Sequence, residues 1–238
     1  MCWGTEVTTG MVLAGTAGAA ITWWRGDPPA IPVTLLFFAL MEGLQFGGYM
    51  VLDQCGTPAN RAVTLFSVLH IAFQPIFINA YTIAIAAPLL APRARRIVLG
   101  LAGLSTFLII LQLVPLQMLG TCEPGRPLCG APLCTVSGDW HLAWDVPYNG
   151  LFLAFDRTFG TNFGFPPYIL AVFVMPVFYG AWRLALFHAL AGPVLAFSLT
   201  TNNNEGPAIW CLFSIGILVV ALLPRVRRVF VARPVPAV

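Results

Sequence analysis

Lysine is absent from this chain of 238 residues, and charged residues of all kinds make up only 9% of it. Retinal is held in seven-helix proteins as a Schiff base on a lysine amine, so the missing lysine excludes that cofactor. The scarcity of charge excludes a soluble globular protein, whose surface needs many more charged side chains. We therefore expect a membrane protein; any cofactor other than retinal is unknown at this point.

The short motifs of catalytic and cofactor sites are absent as well. The three histidines are far apart in the sequence, so there is no His-Glu-x-x-His metal motif. There is also no nucleophile elbow, phosphate loop, dinucleotide fingerprint or Cys-x-x-Cys pair. The sequence therefore favours a protein that is not an enzyme. The amino end lacks the basic region of a cleavable signal, so the first apolar stretch is expected to be a retained anchor.

Hydrophobic residues make up 58% of the chain and form seven apolar stretches. A membrane helix needs about 20 such residues. The sequence thus predicts an all-α integral membrane protein, a seven-transmembrane-helix bundle in a single membrane domain at 1–230 with a short cytoplasmic tail at 231–238. The predicted spans are 8–24, 31–52, 62–90, 97–119, 166–182, 184–200 and 207–223. Only Arg183 separates the fifth span from the sixth, so one long helix plus a re-entrant piece is an alternative there.

Arginine is distributed unevenly between these stretches. Nine of the twelve arginines fall on one side of the predicted bundle: Arg25, Arg93, Arg95, Arg96, Arg183, Arg225, Arg227, Arg228 and Arg233. The positive-inside rule makes that side cytoplasmic, with the N-terminus outside, and we expect a bacterial cytoplasmic (inner) membrane. Because the arginines follow helix ends, they indicate topology and not a nucleic-acid surface. The expected partner is the lipid bilayer.

All six cysteines lie on or near the predicted outer side: Cys2, Cys55, Cys122, Cys129, Cys134 and Cys211. An even number of cysteines in an oxidising compartment favours structural disulfides, and we expect at least one bridge within or onto 122–134. The alternative is a metal site, although the spacing in 122–134 matches no zinc signature. Cys2 and Cys211 are expected at similar depth, either bridged or, with His141 and Glu205, as ligands for copper or zinc.

Residues 120–165, here named the cysteine-rich segment, form the longest gap between predicted spans. We expect this segment to lie outside, above the bundle. Its second half carries Trp140, His141, Trp144 and Tyr148, which are ring types that settle at the membrane interface. The sequence favours interfacial anchoring with an exposed His141 over a ring-lined ligand site.

Polar residues within the predicted spans are costly in lipid and therefore informative. Glu42 and Gln45 share one face of the second span, and His70 and Gln74 share one face of the third. Because these spans run antiparallel, both pairs can reach one depth, to which Gln112 adds another amide. The sequence predicts an outward-opening polar pocket for a proton, metal ion or small ligand, used in transport or sensing. In the alternative, Glu42 is protonated and only joins helices by hydrogen bonding.

Two other functions remain open at this stage. A non-catalytic accessory subunit of a larger membrane complex agrees with the small size and the absence of motifs, and its partners would be other membrane subunits. A metal-dependent membrane enzyme would need several histidines and an aspartate at one depth, and the predicted spans contain no aspartate. Purification in mild detergent distinguishes the first two, because a solitary protein favours the pocket and co-purifying subunits favour the complex.

Four short pieces of the sequence resemble an uncharacterised family of bacterial multi-pass membrane proteins. They are Met1-Cys2-Trp3, Met41-Glu42-Gly43, Phe73-Gln74-Pro75-Ile76 and Ile209-Trp210-Cys211-Leu212-Phe213. Relatives typically open Met-Cys-Phe-Ser-Ala and often carry tryptophan at the place of Gln74, and this chain has more cysteine in its long loop. The resemblance implies a multi-pass topology and draws attention to Cys2, Glu42, Trp210 and Cys211. It implies no reaction.

Overall fold

The computed structural model describes residues 4–211 and 213–231, without the side chain of Phe213. The described chain is mostly helical. Its helices, in chain order from α1 to α10, are Thr5–Trp24, Ala30–Met50, Pro58–Ala86, Pro92–Gln112, Leu153–Phe159, Pro166–Phe178, Trp182–Leu199, Gly206–Trp210, Phe213–Leu222 and Pro224–Phe230. Two strands, β1 (Cys134–Ser137) and β2 (Leu142–Asp145), form one small sheet.

Four of these helices, α2, α3, α4 and α7, are long and apolar enough to cross a membrane. Helix α6 is apolar but shorter. Every predicted span contains at least one helix, so the prediction of a largely helical chain with membrane-length helices is confirmed. The number of crossings and their orientation stay predictions.

The fifth and sixth predicted spans form two separate helices, α6 and α7. Gly180 lies in the turn between them with φ of 84°, a conformation that glycine adopts without steric cost. At the start of α7, Arg183 donates a hydrogen bond from Nη1 to the Val229 carbonyl in α10, at 3.1 Å. The α6–α7 turn therefore lies beside α10.

Helix packing follows chain order through the first half of the molecule. Helix α1 packs on α2, α2 on α3, and α3 on α4, while α1 also contacts α9. Gly18 leaves room for Leu218 of α9, because a Cβ there would lie 2.1 Å from the present position of Leu218 Cδ1. Small residues that allow such close contact are typical of helix packing in membranes.

Both α6 and α7 contain a wide π-helical turn. In α6 the turn covers Leu170–Val174, and in α7 it covers Leu190–Val194. Asn79 of α3 donates from Nδ2 to the Ala171 carbonyl at 2.9 Å, which ties the α6 turn to the bundle. A π-helical turn of this kind usually arises where one extra residue is inserted into an α-helix, and such turns are frequent at functional sites.

The cysteine-rich segment contains the sheet, which the all-α prediction lacks. Strands β1 and β2 pair antiparallel, and the segment continues into α5. One disulfide joins Cys55, between α2 and α3, to Cys134 in β1, and a second joins Cys122 to Cys129. The prediction of a bridge in this segment is confirmed. Cys211 forms no disulfide within the described ranges; Cys2 lies outside them, so their pairing stays a prediction.

The exposed position predicted for His141 is wrong, and Trp144 and Tyr148 are buried with it, whereas Trp140 is 37% exposed. Trp144 is 0% exposed, His141 2% and Tyr148 3%. The segment folds back onto the helix ends, where Trp144 donates its backbone N–H to the Asn204 carbonyl at 3.1 Å. The rings of Trp144, His141 and Tyr148 are therefore buried by protein. The residue types alone do not distinguish such burial from a position at the membrane surface.

Candidate functional site

A cavity of about 530 Å³ lies between α3, α4, α6, α7 and α8, next to the cysteine-rich segment. We name it the aromatic cavity, after wall residues that include Phe38, Phe165, Tyr168, Phe173, Phe197 and Trp210. Its volume falls in the range of small-molecule sites, which are mostly apolar with a few fixed polar groups.

Trp210 is held in the wall of the aromatic cavity by contacts on several sides. Its Nε1–H donates to His188 Nε2 at 3.0 Å. The Phe173 ring stacks on its ring with centroids 5.6 Å apart, and the Tyr168 ring meets it edge-on at 5.4 Å. Gly192, in the π turn of α7, leaves room for the indole, because a Cβ there would lie 2.3 Å from Nε1. The indole is thus fixed in place before any ligand binds.

Gln74 of α3 provides a hydrogen-bonding group in this largely apolar wall. The Tyr168 hydroxyl donates to its Oε1 at 2.5 Å. No described residue accepts a hydrogen bond from its Nε2, and Gln74 lines the cavity. If the amide is turned round, Nε2 meets Tyr168 and Oε1 takes the unpartnered position. Either way, one polar atom of Gln74 is left for a ligand.

Loops at the end of the molecule that carries the cysteine-rich segment line one side of the aromatic cavity. Asn162 and Asn203 line it, and both donate from Nδ2 to the Gly125 carbonyl, at 3.1 and 2.6 Å. Nearby, the buried Asp156 accepts a hydrogen bond from Arg126 Nη1 at 2.5 Å. This ion pair fixes the loop that leads from α5 to α6.

The five residues predicted to form a polar pocket are all buried, but only Gln74 lines the aromatic cavity. His70 Nε2 lies 2.6 Å from the Phe37 carbonyl oxygen, and its ring stacks on the Phe37 ring at 3.7 Å. Gln112 donates from Nε2 to the Gly164 carbonyl at 3.0 Å, which ties α4 to the loop before α6.

Glu42 and Gln45 contact α9 and α8 and do not line the aromatic cavity. Glu42 Oε1 accepts from the Ser214 hydroxyl at 3.3 Å, and Gln45 Nε2 donates to the Ala208 carbonyl at 3.4 Å. Among the described residues, Glu42 and His70 share no hydrogen bond. The structure therefore divides the predicted pocket into separate groups, because matching depth on two helices does not set which way their faces are turned.

The predicted metal ligands form no metal-binding group in the described part of the chain, although Glu205 lies against His141; Cys2 lies outside the described residues. Glu205 Oε1 accepts the backbone N–H groups of Trp140 and His141, and its Oε2 accepts from the Thr200 hydroxyl at 2.6 Å. Cys211 Sγ donates to the Pro207 carbonyl at 3.5 Å. Within residues 4–211 and 213–231, no three histidine, cysteine or acidic side chains are placed to hold a metal ion. Glu205 instead anchors the turn between β1 and β2.

His141 is expected to make the fold sensitive to acid. Burial lowers its pKa from 6.5 to about 3, and its Nδ1 accepts the Leu142 N–H at 2.8 Å. Between these values the unfolded chain binds a proton that the folded chain does not, so the free energy of unfolding falls as pH falls through that window. At about pH 5 the loss is about 2 kcal/mol. The unfolding free energies at about pH 7 and pH 5 should differ less for His141→Gln than for the unaltered protein. An equal loss of stability in the two proteins would contradict this account.

The model of a family of unknown function, DUF5765, matches residues 6–231. This chain is a member of that family. The predicted resemblance to an uncharacterised family is thereby confirmed, over nearly the whole length. None of the curated proteins or solved structures compared matches this DUF5765 protein, so its site must be interpreted from its own geometry.

The sequence analysis missed Tyr168, Phe173 and His188 as wall residues of the cavity. His188 is buried and accepts a hydrogen bond from Trp210 Nε1–H. The Trp210–Cys211 pair was the one available signal, since it carried the family resemblance. Aromatic residues in an apolar stretch otherwise look the same whether they face lipid or a cavity.

Proposed function

We propose that this DUF5765 protein binds a small, mostly apolar molecule with one polar group in the aromatic cavity, and that it serves in transport or sensing. The observation that carries the proposal is the unpartnered polar atom of Gln74 in an apolar cavity of about 530 Å³. Because this atom faces the cavity, a ligand with one hydrogen-bonding group can pair with it, which adds affinity and fixes the orientation of the ligand.

The chemistry of the wall narrows the class of ligand. The rings of Trp210, Phe173 and Tyr168 favour a planar or unsaturated hydrocarbon portion, which can stack on them. No arginine, aspartate or glutamate is found among the described lining residues. An ionic ligand would lose its hydration there without gaining a counter-charge, so we propose a neutral ligand.

We further propose that the bundle crosses the membrane seven times, with the N-terminus outside and the C-terminus in the bacterial cytoplasm. Arg227 pairs with Asp27 at 2.6 Å and Arg25 donates to the Leu222 carbonyl at 2.9 Å, so arginine-bearing helix ends gather at one end of the molecule. The Cys55–Cys134 disulfide supports an oxidising compartment at the cysteine-rich segment. Helix α6, about 20 Å long at 1.5 Å per residue, would require local thinning of the bilayer.

Reporter fusions test this topology. Fusions after Arg96 and after Arg228 are expected to be active only as cytoplasmic reporters, and a fusion within Gly120–Cys134 only as an external reporter. A second external fusion at Asn203 tests whether α6 and α7 both cross. An external signal from the Arg96 fusion would overturn the whole arrangement.

Ligand extraction tests the cavity. Protein purified in mild detergent and extracted with organic solvent is expected to release a neutral, mostly apolar molecule in near-stoichiometric amount, identified by mass spectrometry. Gln74→Leu removes the polar contact and should reduce its retention about tenfold, the equivalent of one hydrogen bond of about 1.4 kcal/mol. Tyr168→Phe, which frees both ends of the Gln74 amide, should retain the molecule.

Gln117→Leu is the matched control, because Gln117 is exposed and lies outside the aromatic cavity. It should leave the extracted amount unchanged. An extract that contains only detergent and bulk phospholipid, with equal amounts from all variants, would refute the ligand proposal. Co-purifying membrane polypeptides in that case would favour the accessory-subunit function.

A further inference from the structure

A second polar group is buried in the bundle, behind the wall of the aromatic cavity. Glu42 and Gln45 lie one turn apart on α2 and are 2% and 1% exposed. Glu42 Oε2 and Gln45 Oε1 each have no hydrogen-bond donor among the described residues. The Gln45 amide is not turned round, because Oε1 would then face the Ala208 carbonyl oxygen to which Nε2 now donates. The unsatisfied atoms are therefore two acceptors, and such a pair needs a donor.

The surroundings of Glu42 provide no positive charge. Helix α1 brings Met11 and Gly15 against it, and α9 brings Ser214 and Leu218. The titratable groups near Glu42 are Tyr49 on α2 and the Cys211 thiol after α8, both neutral when protonated. None of the ion pairs found in the described chain includes Glu42. An ionised carboxylate here would stay without a counter-ion from the described residues.

We propose that Glu42 is a proton-binding site. A proton on Oε2 neutralises the carboxylate and turns an acceptor into a donor, which is what the Glu42–Gln45 pair lacks. When the proton leaves, the Ser214 hydroxyl still donates to Oε1. A small cavity of about 10 Å³ beside Glu42 and Ser214 is close to the space of one water molecule, which can hydrate the ionised form.

The aromatic cavity gives the proton a route from the side of the cysteine-rich segment. Cys211 lines that cavity, and its thiol also contacts the Gln45 amide and lies within electrostatic range of Glu42. The exchange consists of proton transfer between water and the carboxylate, and no other bond forms or breaks. The cavity serves here only as a route, so the site does not depend on the ligand proposed above.

Infrared difference spectroscopy during a pH titration tests the site on the full chain in lipid nanodiscs. The C=O stretch of a protonated carboxylic acid from Glu42 is expected at low pH and should disappear reversibly as pH rises. The band should be missing from Glu42→Gln. Glu205→Gln is the matched control, because Glu205 is equally buried but its oxygens accept from Trp140, His141 and Thr200, away from Glu42, so this change should leave the Glu42 band in place.

Two further measurements keep the test decisive. Carboxyl-¹³C glutamate in the unaltered protein shifts the band if it comes from a glutamate and not from an aspartate. The chain has four glutamates, so Glu6→Gln, Glu123→Gln and Glu205→Gln, each of which should keep the band, leave Glu42 as its source even if Glu42→Gln fails to fold. Ser214→Ala removes the donor to the ionised form, and the band should then persist to a pH about one unit higher. A Glu42 band that is absent at every pH, or unchanged at every pH at which the protein stays folded, would overturn the proposal. The second result would make Glu42 a permanently neutral acid that only joins helices.

Discussion

Replacing Asn60 with alanine is expected to lower the free energy of unfolding by about 3 kcal/mol or more, since each buried polar group left unsatisfied costs about 1–3 kcal/mol. Asn60 is 0% exposed in the first turn of α3. Its Nδ2 donates to the Val51 carbonyl at 2.8 Å and to the Thr135 carbonyl at 2.9 Å, and its Oδ1 accepts the Thr135 N–H at 3.1 Å. One side chain thus joins the ends of α2 and α3 to strand β1.

Denaturant titration in a fixed detergent measures this effect. Asn162→Ala is the control, because Asn162 is exposed and its side chain donates to the Gly125 carbonyl. The free energy of unfolding of this variant should stay within about 0.5 kcal/mol of that of the unaltered protein. Similar unfolding free energies for the two variants would mean that the Cys55–Cys134 disulfide and the other contacts hold the cysteine-rich segment on the bundle without help from Asn60.

Arg126→Met is expected to destabilise the protein by about 3–5 kcal/mol, because it leaves the buried carboxylate of Asp156 without its cation. Asp156 is 1% exposed and Arg126 8%. The double variant Arg126→Met/Asp156→Asn removes both charges and should recover much of the loss. Unfolding curves and limited proteolysis of the cysteine-rich segment report the outcome.

Arg157→Met provides the comparison for that variant. Arg157 pairs with Glu123, but its side chain is 66% exposed, so water screens the pair and its loss should hardly change the unfolding curve. If Arg157→Met and Arg126→Met behave alike, burial of Asp156 does not determine the stability of this loop.

The features that could be predicted from the sequence follow from demands that act locally along the chain. Apolar stretches located the helices because a bilayer requires hydrocarbon-compatible side chains over a set length. The position of Cys122, Cys129 and Cys134 within one segment predicted a bridge there, since nearby thiols in an oxidising compartment pair. The strands were missed although Thr135 and Val136 precede a Ser-Gly-Asp turn, a composition typical of a hairpin.

The arrangement of the candidate site could not be predicted, because it depends on the rotation of each helix about its own axis. Glu42 and His70 were placed together from depth alone, but Phe37 stacks on His70 and Ser214 contacts Glu42. Likewise, the room for Trp210 depends on Gly192, which is distant in sequence and gives no local signal. Contacts between distant segments determine these positions.

The π turn in α7 changes which residues share a face of that helix. His188 and Phe197 both line the aromatic cavity, one before and one after the turn at Leu190–Val194. Nine positions along a regular α-helix, at about 100° each, would place them about 180° apart. One inserted residue reduces the separation to that of eight positions, about 80°. Deleting Ala191 would restore a regular helix with eight positions between the two residues, so they would stay about 80° apart and both would still face the cavity. The extra residue can therefore be lost without turning Phe197 away from the wall, whereas a deletion outside the turn would rotate it.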